Sequence, residues 1–210
     1  AKAFRNGERH ESALATLLKA QALWPQERPF KVLEGSVYAA MGDDVAAARA
    51  LIAAGLDTVE VQLNLGDEAR KRSDWERALG HYEFALGAGP RDARVYNARG
   101  EALFATGDLA GALEDFRTAA RTDPELAAAY ANIGRVQLAR GRNVEAAAAL
   151  ERTLDFDAHN PRVFALLGKA YALSGKTAAA VEAYSQAIAL DPESPNLYTY
   201  LGLLYSRTGD

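Results

Sequence analysis

The chain has 210 residues, of which 49% are hydrophobic, and carries a formal net charge of −4 with acids and bases interspersed. This balance argues against nucleic acid as the principal partner, and the absence of Cys excludes disulfides, thiolate metal sites and thiol nucleophiles. No apolar run approaches the roughly 20 residues that span a bilayer, so we expect no membrane span here, and the N-terminus lacks the regions of a signal peptide.

Composition also bears on location and origin. Lack of Cys suits the cytoplasm and the periplasm alike, and of the two we slightly favour the cytoplasm. Arg outnumbers Lys 18 to 6, and richness in Ala and Arg is typical of a GC-rich, bacterial genome. Because Ala has a high helix propensity and allows helices to approach closely, the composition predicts an all-helical fold.

A pattern of small and large residues recurs along the chain with a period of about 34 residues, which predicts stacked pairs of helices. The first repeat, 1–27, is partial. It consists mainly of a second helix, in which Ala13, Leu17, Ala20 and Pro25 occupy positions 20, 24, 27 and 32 of the pattern. We therefore expect the chain to begin within a repeat.

The second repeat, 28–58, follows the same pattern but is three residues shorter. The shortening falls near Gly55, which is expected to end a helix in a left-handed conformation and to change the local geometry of stacking. Four complete repeats then follow without any insertion: 59–92, 93–126, 127–160 and 161–194.

The clearest repeat is 161–194. Pro161 suits the start of its first helix, Gly175 breaks that helix, and Pro192 follows the end of the second. Small residues at fixed positions let the two helices approach closely, and aromatic residues fill the space between them. The residues of the pattern are Phe164, Leu167, Gly168, Tyr171, Gly175, Ala180, Tyr184, Ala187 and Pro192.

The last segment, 195–210, matches the first helix of a further repeat, either truncated or serving as a cap. Tyr198, Leu201 and Tyr205 would then lie exposed, where a terminal helix is expected to be polar. We infer a fragment of a longer array. We also expect that the chain can self-associate, because this exposed helix could dock on the N-terminal face of another copy.

These residues and their spacing resemble the tetratricopeptide repeat (TPR) family over almost the whole chain. The resemblance implies an α-solenoid of helix-turn-helix repeats that forms a right-handed superhelix. The first helices of such repeats line a concave groove that holds an extended peptide or a partner helix. The expected ligand is therefore a protein or peptide.

The resemblance also implies which positions of each first helix face the groove. Asn side chains there would hold the backbone of a peptide, and Arg or Lys would attract a carboxylate. Arg94, Glu101 and Tyr200 add polar and aromatic character. The candidate groove residues are Asn64, Arg70, Arg94, Asn97, Glu101, Asn132, Arg135, Arg162, Lys169 and Tyr200.

Some TPR proteins bind the C-terminal carboxylate of chaperone tails through a clamp of Lys, Asn and Arg. Here Asn132 and Arg162 match that clamp, whereas Asn97, Glu101 and Leu166 depart from it. A role as a chaperone-tail cochaperone is therefore disfavoured.

Catalytic and metal-binding patterns are weak. His10, His81 and His159 lie at unrelated positions of the repeat, and no pair has the i, i+4 spacing of a helical metal site. Gly residues recur at repeat positions rather than in a phosphate-binding loop. We expect no enzyme activity, no cofactor and no metal.

Three functions remain open from the sequence. The first is a noncatalytic scaffold that binds a peptide or partner protein in its groove. The second is a substrate-recruiting arm of a larger enzyme such as a glycosyltransferase. The third is a scaffold in bacterial envelope assembly, for a secretion, pilus or polysaccharide machine.

Overall fold

The computed structural model describes residues 2–25, 27–89 and 91–208. These residues form twelve α-helices and no β-strand, so the predicted all-α fold is confirmed. The helices are α1 (Lys2–Leu23), α2 (Arg28–Met41), α3 (Asp44–Ala53), α4 (Thr58–Lys71), α5 (Trp75–Ala88), α6 (Ala93–Thr106), α7 (Leu109–Thr122), α8 (Ala127–Ala139), α9 (Asn143–Leu154), α10 (Pro161–Leu173), α11 (Thr177–Leu190) and α12 (Pro195–Thr208).

The chain divides into two compact parts, the N-terminal half (Ala1–Thr106) and the C-terminal half (Gly107–Asp210). In the N-terminal half each helix packs on the next one along the chain, and α2 contacts α4 while α4 contacts α6. In the C-terminal half the helices from α7 to α12 also pack in chain order, and α8 contacts α10. The first helices α2, α4 and α6 are therefore successive neighbours in one half, and α8 and α10 are neighbours in the other.

Within a repeat, a Gly on the first helix lies against a large side chain of the second helix. A Cβ added at Gly168 would lie 2.9 Å from the Tyr184 ring, closer than carbon atoms can pack. This close approach is the size alternation that the sequence predicts. The same contact joins Gly35 to Leu51, Gly66 to Tyr82 and Gly134 to Leu150.

Left-handed residues occur in turns of both kinds, between repeats and within them. Between the second and third repeats, Gly55 has φ 80°, as predicted, and the Leu56 N–H donates to the Leu51 carbonyl at 3.1 Å, which closes the end of α3. Within repeats, the turn between paired helices also has a left-handed residue. Ser73 is the one described residue other than Gly with a positive φ, at 61°. It stands where other repeats have Gly, with φ of 91° at Gly42 and 76° at Gly175.

The second helices begin in two different ways. Asp43, Asp74 and Asp108 precede α3, α5 and α7, and each carboxylate accepts a hydrogen bond from a backbone N–H of the first turn. Arg142 and Lys176 hold the same place before α9 and α11, and neither makes a side-chain cap. The backbone conformations nevertheless match, with φ −86° and ψ 76° at Asp74 and φ −86° and ψ 67° at Lys176.

Candidate functional site

In the N-terminal half, the candidate residues of α4 and α6 meet in one polar network. Arg70 lies between two carboxylates, with Nη1 2.9 Å from Glu101 Oε2 and Nη2 3.3 Å from Asp67 Oδ1. The Tyr82 hydroxyl donates to the same Asp67 oxygen at 2.8 Å. Because Arg70 and Glu101 neutralise each other, this network ties α4 to α6 rather than presenting an open charge.

Burial shapes the protonation of this network. Tyr82 is completely buried, and burial, followed by the charge of Asp67, raises the pKa of its phenol above the usual value. Partial burial lowers the pKa of Arg70, but its hydrogen bond to Tyr82 and the charge of Glu101 outweigh burial, so its pKa is raised. Both groups therefore keep their protons throughout the physiological pH range.

The remaining candidates of this half also make intramolecular contacts. The Asn64 amide donates to the Glu60 carbonyl at 2.8 Å, and the Asn97 amide donates to Glu101 Oε1 at 3.3 Å. The guanidinium of Arg94 is more than half exposed and pairs with Asp92, Nη2 to Oδ2, at 2.6 Å. The hydrogen bond from Arg94 holds the pKa of the Asp92 carboxyl below its usual range.

In the C-terminal half, α10 presents two exposed cations. Arg162 and Lys169 are seven residues apart, which places them on one face of the helix about 10 Å from each other. Within the described residues neither forms an ion pair. They are therefore the candidate charges that remain open to a ligand.

Tyr200 on α12 is partly exposed, and its ring packs against a second aromatic ring. Its ring is 47% exposed and stacks on Tyr184, with the ring centroids 5.5 Å apart. Burial, and to a lesser degree the neighbouring Tyr200, raises the pKa of Tyr184 to about 12. Tyr200 thus offers a fixed aromatic face to a ligand.

The structure corrects the expected position of Asn132. Its side chain is only 5% exposed, so its amide does not line an open surface as the spacing predicts. Asn132 Oδ1 instead accepts a hydrogen bond from Nη1 of the exposed Arg135 at 2.8 Å. Asn132 therefore contributes to the surface by orienting Arg135.

A cavity of about 240 Å³ lies between α10 and α11. Its lining includes Phe164, Leu167, Tyr171 and Glu182. The Tyr171 hydroxyl donates to Glu151 Oε1 at 2.5 Å, and this bond raises the pKa of Tyr171 to about 12. The sequence predicts Tyr171 only as a residue that fills space, because the spacing of the pattern carries no signal for its polar contact.

In the part of the chain that the structure describes, no cluster of three His, Asp or Glu side chains has the arrangement of a metal site. None of the helices among the described residues combines the length and the apolar character needed to cross a bilayer.

Comparisons with known proteins agree with this architecture. Residues 63–127 and 103–170 match family profiles described as tetratricopeptide repeat, and residues 168–209 match one described as TPR repeat. A human protein, protein O-mannosyl-transferase TMTC1, is 28% identical over 156 residues. The match covers 71% of this chain and 18% of the length of that relative.

Solved structures are similar as well. A structure of MamA from residue 41 to the end, from Desulfovibrio magneticus, is 25% identical with a TM-score of 0.69, over 74% of this chain and 88% of that chain. YrrB, described as a TPR protein with an unusual peptide-binding site, is 18% identical with a TM-score of 0.64. That match covers 87% of this chain and 96% of YrrB, and at this identity it supports the fold alone.

Proposed function

This chain belongs to the tetratricopeptide repeat family, and from that premise we propose that it is a noncatalytic scaffold that binds a peptide in an extended conformation. The family and the fold support a protein-interaction scaffold in general terms. The observation that carries the peptide hypothesis is the exposed set on the first helices of the C-terminal half, where Arg162, Lys169 and Tyr200 lie open. Among the described residues, Arg162 and Lys169 form no ion pair, and Tyr200 remains 47% exposed although its ring stacks on Tyr184.

The proposed mechanism is preorganisation. Arg162 and Lys169 are held on one rigid helix, and Tyr200 is supported by Tyr184. The backbone of a packed scaffold loses little further freedom when a ligand arrives, so the ordering cost falls on the exposed side chains and not on the helices that carry them. The network of Arg70, Asp67 and Glu101 supports the scaffold in the N-terminal half.

Peptide selection tests this function. Random 12-residue peptides displayed on phage are selected on the immobilised chain, and the selected peptides are then measured by fluorescence anisotropy. We expect Arg162→Ala combined with Tyr200→Ala to weaken the selected peptides at least tenfold. An exposed Tyr is a frequent contributor to binding energy at interfaces.

A matched control comes from the second helices. Phe84 on α5 and Val144 on α9 are 59% and 61% exposed, so their truncation removes apolar surface without opening the core. Phe84→Ala combined with Val144→Ala is expected to leave peptide affinity unchanged. If this control weakens binding and the Arg162 and Tyr200 variant does not, the binding surface is on the second helices and the proposal is wrong.

A recruiting arm of a larger transferase is the alternative, and the similarity to TMTC1 favours it. In that case a selected peptide, fused to an acceptor protein, is glycosylated by the full-length polypeptide faster than a fusion with a scrambled peptide. Equal rates with both fusions would contradict the alternative.

Self-association is a second proposed interaction, and α12 supports it. Tyr198 and Tyr205 are 51% and 41% exposed, and a Cβ added at Gly202 would meet no atom within 4 Å. In other repeats the equivalent Gly is covered by a large side chain of the next helix. Light scattering over a concentration series should show an increase in mass that Tyr198→Lys abolishes, and a constant monomer mass would contradict the proposal.

A further inference from the structure

In two repeats of the C-terminal half, 127–160 and 161–194, the charged residues are largely segregated between the first and the second helix. Residues 127–142, which comprise α8 and the turn after it, contain three cations and no Asp or Glu, and the same is true of residues 161–176. Residues 143–160 carry four acids against one Arg, and residues 177–194 carry three acids and no Arg or Lys. These two repeats therefore place most of their positive charge on the first helix and its turn, and most of their negative charge on the second helix.

The six cations define what we call the cationic surface: Arg135, Arg140, Arg142, Arg162, Lys169 and Lys176. All six are exposed. Within the described residues Arg140, Arg162, Lys169 and Lys176 form no ion pair, and Arg142 has a loose one with Glu145 at 3.6 Å. In the N-terminal half, by contrast, Arg70, Lys71, Arg72, Arg77 and Arg94 each lie within 4.0 Å of a carboxylate.

Two members of the cationic surface occupy N-cap positions, where a cation is expected to lower the stability of the helix. Arg142 and Lys176 replace the Asp caps found before α3, α5 and α7, although the backbone keeps the same conformation. A cation at a helix N-terminus opposes the helix dipole, and the capping hydrogen bond is lost. Sequences that break a local rule in this way tend to do so at functional positions.

We propose that the cationic surface binds an acidic peptide segment whose carboxylates are spaced three residues apart. This inference rests on the proposed function and adds the chemistry of the ligand. Arg135 and Lys169 are separated by one full repeat and hold equivalent positions on α8 and α10, which contact each other. Packed helices lie about 8–10 Å apart, and an extended chain advances about 3.3 Å per residue, so three residues span that distance.

The same spacing applies to the turn cations. Arg142 and Lys176 are also separated by one full repeat, one on each successive turn. Cations repeated at this spacing attract a ligand that repeats carboxylates, whereas a neutral peptide gains nothing from them. The charge of the surface therefore selects the ligand, and exposed Tyr200 lies on the next first helix to contribute an aromatic contact.

The test uses defined peptides rather than selected ones. Fluorescein-labelled (Glu-Ser-Ser)4, (Gln-Ser-Ser)4 and an isomer with four contiguous Glu followed by eight Ser are titrated with the chain at 50 mM salt. We expect (Glu-Ser-Ser)4 to bind at least tenfold more tightly than either other peptide. Its affinity should fall as NaCl is raised to 0.5 M, because salt screens exposed charges.

Two charge-matched variants localise the effect. Arg162→Gln, Lys169→Gln and Lys176→Gln together remove three charges from the cationic surface and should weaken (Glu-Ser-Ser)4 at least tenfold. The control replaces three exposed cations of the second helices: Arg117→Gln, Arg121→Gln and Arg152→Gln. The control should bind within twofold of the parent, since net charge changes equally in both variants.

The outcomes separate this inference from the function on which it rests. Equal affinity for the Glu and Gln peptides, or an equal loss of affinity in both variants, overturns the proposal of an acidic ligand. Either result leaves the proposed function standing, because the phage-selected peptides test peptide binding independently. Failure of every selected peptide together with failure of (Glu-Ser-Ser)4 overturns the proposed function. The chain could instead form a dimer that dissociates at high salt and that the three-Gln surface variant abolishes. That result would show that the cationic surface binds the acidic face of a second copy, and it would overturn the proposal of a peptide ligand.

Discussion

Restoring the missing cap of α11 is expected to stabilise the protein. In Lys176→Asp the new carboxylate stands where Asp108 accepts from the Gly111 N–H at 2.9 Å before α7. The backbone needs no change, because φ −86° and ψ 67° at Lys176 lie close to φ −76° and ψ 79° at Asp108. The Ala179 N–H is then the expected donor.

The magnitude follows from three contributions. A capping hydrogen bond contributes about 1 kcal/mol, and exchanging a cation for an anion at a helix N-terminus contributes about 0.5–1 kcal/mol more. Against these, the variant loses the cation–π contact of Lys176 Nζ, which lies 5.7 Å from the Tyr171 ring and is worth about 0.5–1 kcal/mol at an exposed site. The net gain is about 1 kcal/mol.

Thermal and urea unfolding followed by circular dichroism at 222 nm measure this gain. For a chain of this size about 1 kcal/mol corresponds to an increase in Tm of about 2–4 °C. Two variants isolate the cause. Lys176→Gln removes the charge without supplying a short acceptor and should be nearly neutral, and Asp108→Lys should lower Tm by a similar amount.

The refuting result is equally definite. If Lys176→Asp melts at or below the parent temperature while Asp108→Lys is destabilised, the missing cap is not a weak point of α11. The same variant should bind (Glu-Ser-Ser)4 less tightly, so the proposed acidic ligand predicts opposite changes in stability and affinity. An increase in both would contradict the role assigned to Lys176.

Four further predictions concern the scaffold. Ser73→Gly should raise the free energy of unfolding by about 0.5–1 kcal/mol in urea melts, because Ser73 holds φ 61°. Gly168→Ala should lower the free energy of unfolding by about 1–3 kcal/mol through overpacking against Tyr184. Gly202→Ala should raise the free energy of unfolding by up to about 1 kcal/mol, because a Cβ there meets no neighbouring atom. Equal effects of the two substitutions would contradict the close contact of Gly168 with Tyr184. Glu101→Gln should cost about 1 kcal/mol or less, since the pair is partly exposed, and an unchanged melt would deny it a structural role. The pKa of Tyr184 is raised from 10.0 to about 12, so the neutral phenol stabilises the fold fully below pH 10, and this stabilisation is lost as pH rises towards 12. Tm should therefore fall between pH 10 and 12, and it should fall less in Tyr184→Phe.

The sequence predicts the helix pairs because their contacts depend on spacing alone. The interval from Gly168 to Tyr184 is the same as that from Gly66 to Tyr82, so a single chain reveals the packing. The left-handed conformation of Gly55 follows from its place at the end of a helix in the same way. Local chemistry and a repeating frame are sufficient for both.

Spacing does not predict whether the candidate side chains are paired, buried or open to solvent. Arg70 and Glu101 belong to different repeats and meet only because α4 and α6 pack together and their side chains converge. The burial of Asn132 likewise depends on what surrounds it rather than on its position in the repeat. Spacing indicates which face a residue occupies, but tertiary packing decides whether its polar groups remain open.

Within each half, the packing of helices on their neighbours in the chain also has a kinetic consequence. Most tertiary contacts join helices that are adjacent in the chain, so little chain entropy is lost before a contact forms, and low contact order is associated with fast folding. A repeat that has formed presents a template for the next, and folding can begin at more than one place in the array. Amide exchange should accordingly be fastest in the outermost helices and slowest in the repeats with a neighbour on both sides.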